Sequence, residues 1–165
     1  MCGIVAAFNP NGVDMILFRK MMLQAMVRGQ HAHNGVVSQL PPEDWEEAYG
    51  FKVTGRNDTE LLMRSFEHDL HPMEAFPKAS IASALLVLEE NGAELGFFRN
   101  GQRPLWFDYD DETQACWVAS TKDIFDRAGD FHHIQRCKAG EHHRVTNNSG
   151  YMSYKFIDGF EDLQP

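Results

Sequence analysis

Apolar and polar positions follow two different periods along this chain, and the switch falls near its middle. MCGIVAAF is a short apolar run closed by the turn sequence Asn9-Pro10-Asn11-Gly12, so it predicts a strand starting at the first residues. From Asp14 to Val27 the spacing turns helical, with Asp14 as cap and Gly29 as stop. Apolar residues occupy more than one face of this helix, which predicts burial between layers, with Met15, Met21, Met22 and Met26 filling irregular core space. HAHNGVVSQL then carries a turn-like Asn34-Gly35 ahead of the β-prone Val36 and Val37, and PPEDWEEAYG reads as a surface segment with a helical turn or two. Asp58 or Thr59 caps a second helix over 60–69, with Leu61, Leu62 and Phe66 as its core stripe.

Beyond residue 80 the period becomes that of strands. Runs over 81–88, 94–98, 105–109 and 115–119 are separated by NG, NGQRP and DYDDETQ, the pattern of antiparallel strands joined by turns. Ser120 is positioned to cap a short helix through Phe125, and further strands are expected over 142–145 and 151–156 around NNSG. Helices set against many antiparallel strands predict an α+β layered domain, one domain over residues 1–165.

Composition narrows the function classes. With 24 acidic against 15 basic residues the formal charge is -9, which repels phosphate backbones and anionic membrane surfaces, and no basic patch offsets it. Neither nucleic acid nor membrane is therefore an expected partner. No apolar stretch approaches membrane-spanning length, no secretory signal pattern is visible, and a cytoplasmic location is expected. Cys2, Cys116 and Cys137 are odd in number and far apart, which suggests neither disulfides nor a CxxC metal site. The eight histidines include the adjacent pairs His132-His133 and His142-His143 and the flanking pair His31 and His33. No HExxH, carboxylate set or cysteine cluster accompanies them, so no metal and no cofactor is expected.

Cys2 raises a chemical question, because removal of Met1 would give one residue both a thiol and a free α-amine that change protonation near neutral pH. The amine could take the thiol proton and later return one to a leaving nitrogen, making Cys2 nucleophile and base together. The plain alternative is an incidental cysteine at a buried strand end. Gly3 behind it leaves room for substrate.

Several segments, in order, decide between these. MCGIVAAF resembles the start of the class II glutamine amidotransferases, N-terminal-nucleophile hydrolases whose mature chains expose a catalytic cysteine. VRGQHA (27–32) is similar to their RG motif, especially in phage-like members, His33-Asn34-Gly35 to their HNG motif, and GRNDTELL (55–62) to their Asp-Thr-Glu segment. FFRNGQRPLWF and VASTKDIF resemble the family's Arg-Pro-Leu element and a later serine segment. The resemblance covers residues 1 to about 127 and implies a sandwich of antiparallel sheets flanked by helices.

It also implies roles. Cys2 would attack the side-chain amide of glutamine, release ammonia and leave a thioester that water converts to glutamate. The Asn34 side chain and the Gly35 backbone N–H would form the oxyanion hole, and Asp58 would grip the substrate ammonium. Read without the resemblance, Asn34-Gly35 is also a hairpin turn and Asp58 also a helix cap. One departure stands out: the block that family members carry between the RG and HNG motifs is absent, and with it the arginine that holds the glutamine α-carboxylate. Arg28 and Arg56 are the replacements nearest to matching motifs, and the loss predicts a reduced fold with strands missing. Partners implied are glutamine and an ammonia-accepting synthase subunit. The rival readings are a catalytically inactive descendant that binds a partner or ligand, and a hydrolase of another small amide. The oligomeric state is left open.

Overall fold

The computed structural model describes residues 3–26, 35–77, 79–89, 92–101 and 103–155. Its elements are β1 (Val5–Phe8), α1 (Met15–Met26), β2 (Gly35–Val36), a 3-10 turn (Pro42–Asp44), α2 (Trp45–Tyr49), α3 (Thr59–Glu67), α4 (Pro72–Ala75), β3 (Ser80–Glu89), β4 (Gly92–Arg99), β5 (Trp106–Asp110), β6 (Ala115–Ala119), α5 (Lys122–Ala128), β7 (Gln135–Arg136), β8 (Glu141–Thr146) and β9 (Gly150–Lys155). Two antiparallel sheets result, one ordered β1-β6-β5-β7 and the other β2-β3-β4-β8-β9.

The side-chain alternation of the strands sorts the core into layers. Between the sheets lie Phe8, Phe97, Phe107, Cys116, Val118 and Val145. The opposite faces of the same strands meet helices: Trp117 and Ala119 pack with Met21, Ala25, Ile124 and Phe125 of α1 and α5, while Ile81 and Phe98 pack with Leu61, Leu62 and Met73 of α3 and α4. The fold is an α+β sandwich of two antiparallel sheets with helices on both outer faces. Burying one of its phenylalanines is worth about 1.5–3 kcal/mol, so the inter-sheet layer is a large share of what holds the molecule together.

Asp14 begins α1 as expected, its Oδ1 accepting the N–H groups of Ile16 and Leu17 at 2.9 and 3.1 Å. The helix is not sandwiched between layers, however. It is an outermost element, and of the four methionines assigned to the core only Met21 is fully buried, whereas Met15, Met22 and Met26 are exposed, with Ile16 and Leu23 beside them. A sequence apolar on several faces fixes no single inner side; docking onto sheet one and α5 selected the Met21–Ala25 stripe.

Helix α3 starts at Thr59, and neither expected cap performs as such: the Asp58 side chain makes no capping bond, and Asn57 Oδ1 accepts the Thr59 N–H instead, at 3.0 Å. Ser120 likewise does not cap α5, whose cap position is Thr121. Its backbone N–H instead prolongs the β6–β1 pairing by donating to Ile4 O at 3.1 Å. The short α4 and β7 carried no sequence signal of their own.

Candidate active site

Among the described residues β1 is an edge strand of its sheet, and the outer edge of β3 is covered only by the two-residue β2, paired at Gly35–Ile81 and Val36–Ser80. Both open edges lie on the same side of the sandwich, and a cleft of about 290 Å³ runs between them. Gly3, Ile4 and Val5 form its β1 side, Ala82 and Ala84 its β3 side. Asp58 and Leu62 at the start of α3, with Met22 of α1, complete the wall. The residue range directly behind Cys2, the residue after the HNG valine and the Asp-Thr-Glu segment are thereby brought to one place, although 55 residues separate Gly3 from Asp58 in the chain.

Asp58 is tied to the HNG segment itself. Its Oδ2 accepts the Val37 backbone N–H at 2.7 Å, a charge-assisted bond across 21 residues. Spared from capping, the half-buried carboxylate faces the cleft and locks the strand that follows Asn34-Gly35. Glu60, two residues on, organises the loop before it: its carboxylate accepts from Thr54 N at 2.9 Å, Thr54 Oγ1 at 3.0 Å and Gly55 N at 2.7 Å, and it takes Arg64 Nη2 at 3.1 Å. The Thr54 and Gly55 N–H groups, foremost, lower its pKa to about 2. A Cβ at Gly55 would stand 2.9 Å from Glu60 Oε2, so the glycine is what permits this close wrap.

Gly3 has a different job from the one read in the sequence. Its missing Cβ would meet the Ala25 carbonyl oxygen at 2.7 Å and the Ala25 Cβ at 2.8 Å. The space goes to α1, which is pressed against the start of β1, rather than to substrate. Cys2, Arg28 and Asn34 lie outside the described residues. Gly35 is placed in β2 at the cleft's end of β3, and Arg56 is exposed in the loop ahead of α3 and does not line the cleft.

The other two cysteines are unlike a nucleophile. Cys116 and Cys137 are fully buried, and burial pushes both thiols well above the ordinary value, so they stay neutral core residues. The adjacent His142 and His143 point to opposite faces of β8. His142 Nδ1 pairs with His71 Nε2 at 2.8 Å beside Phe98, and His143 Nδ1 pairs with the Tyr151 hydroxyl at 2.8 Å between Phe97 and Phe107. A larger hollow of about 770 Å³ opens at the far end of β1, beside Asn9, Asp14, Asp108 and Asp130. Of the described site candidates, neither Gly35, Arg56 nor Asp58 lines it.

Arg103, which sequence reading left without a site role, makes a contact between the sheets. Arg103 Nε donates to Ser80 Oγ at 3.0 Å, linking the segment before β5 to the start of β3 and so the two sheets.

Comparison with known proteins agrees with this architecture. No family model matches the chain, and no curated protein matches it. Among solved structures it is similar to a glutamine phosphoribosylpyrophosphate amidotransferase from B. subtilis complexed with ADP and GMP, at 25% identity and a TM-score of 0.55, over 78% of this chain and 29% of that one. It is also similar to the allosteric regulatory enzyme of purine biosynthesis, at 26% identity and a TM-score of 0.55, over 78% of this chain and 28% of that one. The fold is thus of the N-terminal-nucleophile hydrolase type, and the neighbours that share it are glutamine amidotransferases. The chain spans under a third of their length.

Proposed function

We propose that residues 1–165 form a single type-2-like glutamine amidotransferase domain that hydrolyses the glutamine side-chain amide to glutamate and ammonia. The observation that carries this reading is the Asp58 bond to Val37 N–H at the mouth of a cleft whose other wall begins one residue after Cys2. In this reading the Cys2 thiolate attacks the amide carbon, and its own α-amine takes the thiol proton and hands it to the departing nitrogen. Asn34 and the Gly35 N–H stabilise the tetrahedral oxyanion, a contribution of about 3–4 kcal/mol per donor in comparable sites. Collapse expels ammonia and leaves a γ-glutamyl thioester, which water cleaves. Asp58, already committed to one N–H, has lone pairs left for the substrate ammonium and so selects an amino acid over a simple amide. Arg28 and Arg56 are the carboxylate ligands suggested by motif proximity. The ammonia acceptor, a synthase subunit, lies outside this chain.

The test is glutamate and ammonia release from glutamine by folded protein whose mass confirms loss of Met1, beside the Cys2→Ser form. Release by the cysteine form alone supports the nucleophile. Absence of release from folded, processed protein rejects the glutaminase reading and favours the second one, a binding descendant, for which the β1 and β3 edges, open among the described residues, are the specific support, since such edges accept extended partners.

A further inference from the structure

A glutamine gripped at its ammonium by Asp58 also brings a carboxylate, and leaving that charge unpaired beside Ile4, Ala82 and Leu62 is costly. The connection between the sheets sets a guanidinium at this end of the molecule. β5 begins at Trp106 opposite Ala119 of β6, and Ala119 faces Val5 of β1. Residues 103–105 therefore run past the same end of sheet one as Gly3 and Ile4. From there Arg103 crosses to sheet two and donates Nε to Ser80 Oγ at 3.0 Å. Ser80 precedes Ala82 by two residues on β3, so both side chains share the inter-sheet face about 7 Å apart, and Ala82 lines the cleft.

The backbone of Arg103 is held as well. Arg99, fully buried, donates Nε to Cys137 O at 2.6 Å and Nη1 to Gly101 O at 3.0 Å and to Arg103 O at 3.3 Å. With its Nε and its carbonyl both engaged, Arg103 keeps Nη1 and Nη2 uncommitted among the described residues, and no described carboxylate pairs with it. A planar fork anchored at one nitrogen and open at the other two suits bidentate capture of a carboxylate.

We propose that Arg103, tethered by Ser80 and Arg99, binds the α-carboxylate of the glutamine substrate and so replaces the arginine lost with the absent block. This inference rests on the glutamine reading above. It departs from motif proximity, because Arg56 is exposed in the loop ahead of α3, whereas Arg103 is held at the start of β3 by its bonds with Ser80 and Arg99.

The test compares steady-state hydrolysis of glutamine and of its tert-butyl ester, which lacks the carboxylate charge, by Met1-free protein and its Arg103→Ala and Arg103→Lys variants. Arg103→Ala is expected to raise the glutamine KM roughly 10- to 100-fold with kcat little changed and the ester KM unmoved. Arg103→Lys should fall between, a point charge replacing the fork. An unchanged ratio of ester KM to glutamine KM in Arg103→Ala overturns the proposal, and equal loss on both substrates does so too. If Arg103→Ala does not fold, the same ratio in Arg103→Lys decides. Calorimetric titration of glutamine into the Cys2→Ser form separates the levels of failure. A Cys2→Ser form that does not bind glutamine, together with wild type that does not hydrolyse it, ends the glutamine reading and Arg103 with it. Binding that survives Arg103→Ala ends only the Arg103 assignment.

Discussion

Mild acid should unfold this protein through three buried histidines. The Met73 backbone N–H donates to His71 Nδ1 at 3.2 Å, so the ring proton of His71 must sit on Nε2 and be given to His142 Nδ1. That chain of bonds works only with both rings neutral: a protonated His71 would set an N–H against the Met73 N–H. Burial, reinforced by the facing His142, lowers the His71 pKa to about 3. Burial and then Arg144 lower His142 to about 4, and burial followed by His142 and Lys138 lowers His143 to about 4. His143 Nε2 lacks a hydrogen-bond partner, with Glu141 Oε2 standing 3.9 Å away. The sign follows from proton counting. Between the folded values and the unfolded value near 6.5 the unfolded chain binds more protons, so stability is full above pH 6.5 and falls as pH drops toward 4. From pH 7.5 to 5.5 an unfolded histidine goes from about one-tenth to about nine-tenths protonated while the folded ring stays neutral, a loss of about 1.4 kcal/mol each and about 4 kcal/mol for three. That is a large share of a typical domain stability of about 5–15 kcal/mol. Glu60 and Asp110, whose carboxyls are held low, lose their contribution only below about pH 5, outside this window. Urea unfolding at pH 7.5, 6.5 and 5.5 measures the drop, and His143→Phe, similar in volume and set among Phe97, Phe107 and Tyr151, should reduce it to about 3 kcal/mol. A urea midpoint that does not move between pH 7.5 and 5.5, or ring resonances of these histidines titrating near 6.5, would refute the argument.

Two further outcomes follow from the cleft. Asp58→Ala leaves the Val37 N–H without its acceptor and should cost about 1–3 kcal/mol in urea unfolding, whereas Asp58→Asn keeps an acceptor oxygen, holds most of that stability and still raises the glutamine KM by about 10-fold or more in steady-state assays. Gly3→Ala drives a methyl group into Ala25 at 2.7–2.8 Å and should lower stability by about 1–3 kcal/mol, read as a fall in thermal midpoint; an unshifted midpoint would contradict the packing of α1 on β1 described above.

The strands over 80–119 were legible because each has a β-rich run and a turn sequence beside it; β6 has the expected bounds and those of β3 to β5 differ from the expected ones by one or two residues. α4 and β7, of four and two residues, were not, since segments that short hold no full period and exist through tertiary contact. Asp58 was legible as important but ambiguous in role, because cap and ligand residues share the same local sequence; the structure shows that its carboxylate makes no capping bond and accepts the distant Val37 N–H. Arg103 stood in the Arg-Pro-Leu element, but its contact was not legible there, since its partner Ser80 lies 23 residues earlier on another strand.

The sequence by itself determined the local elements, the antiparallel class of the fold and the set of motifs that name a chemistry, because helix periods, turns and short motifs are properties of neighbouring residues. The tertiary structure alone decided which face of α1 is buried, that among the described residues β1 and β3 are left with open edges on the same side, and that Gly3, Val37, Asp58 and Ala82 surround one cleft. Those facts depend on the register of strand pairs and on the packing of layers, and such long-range contacts are specified by the whole chain at once rather than by any window of it.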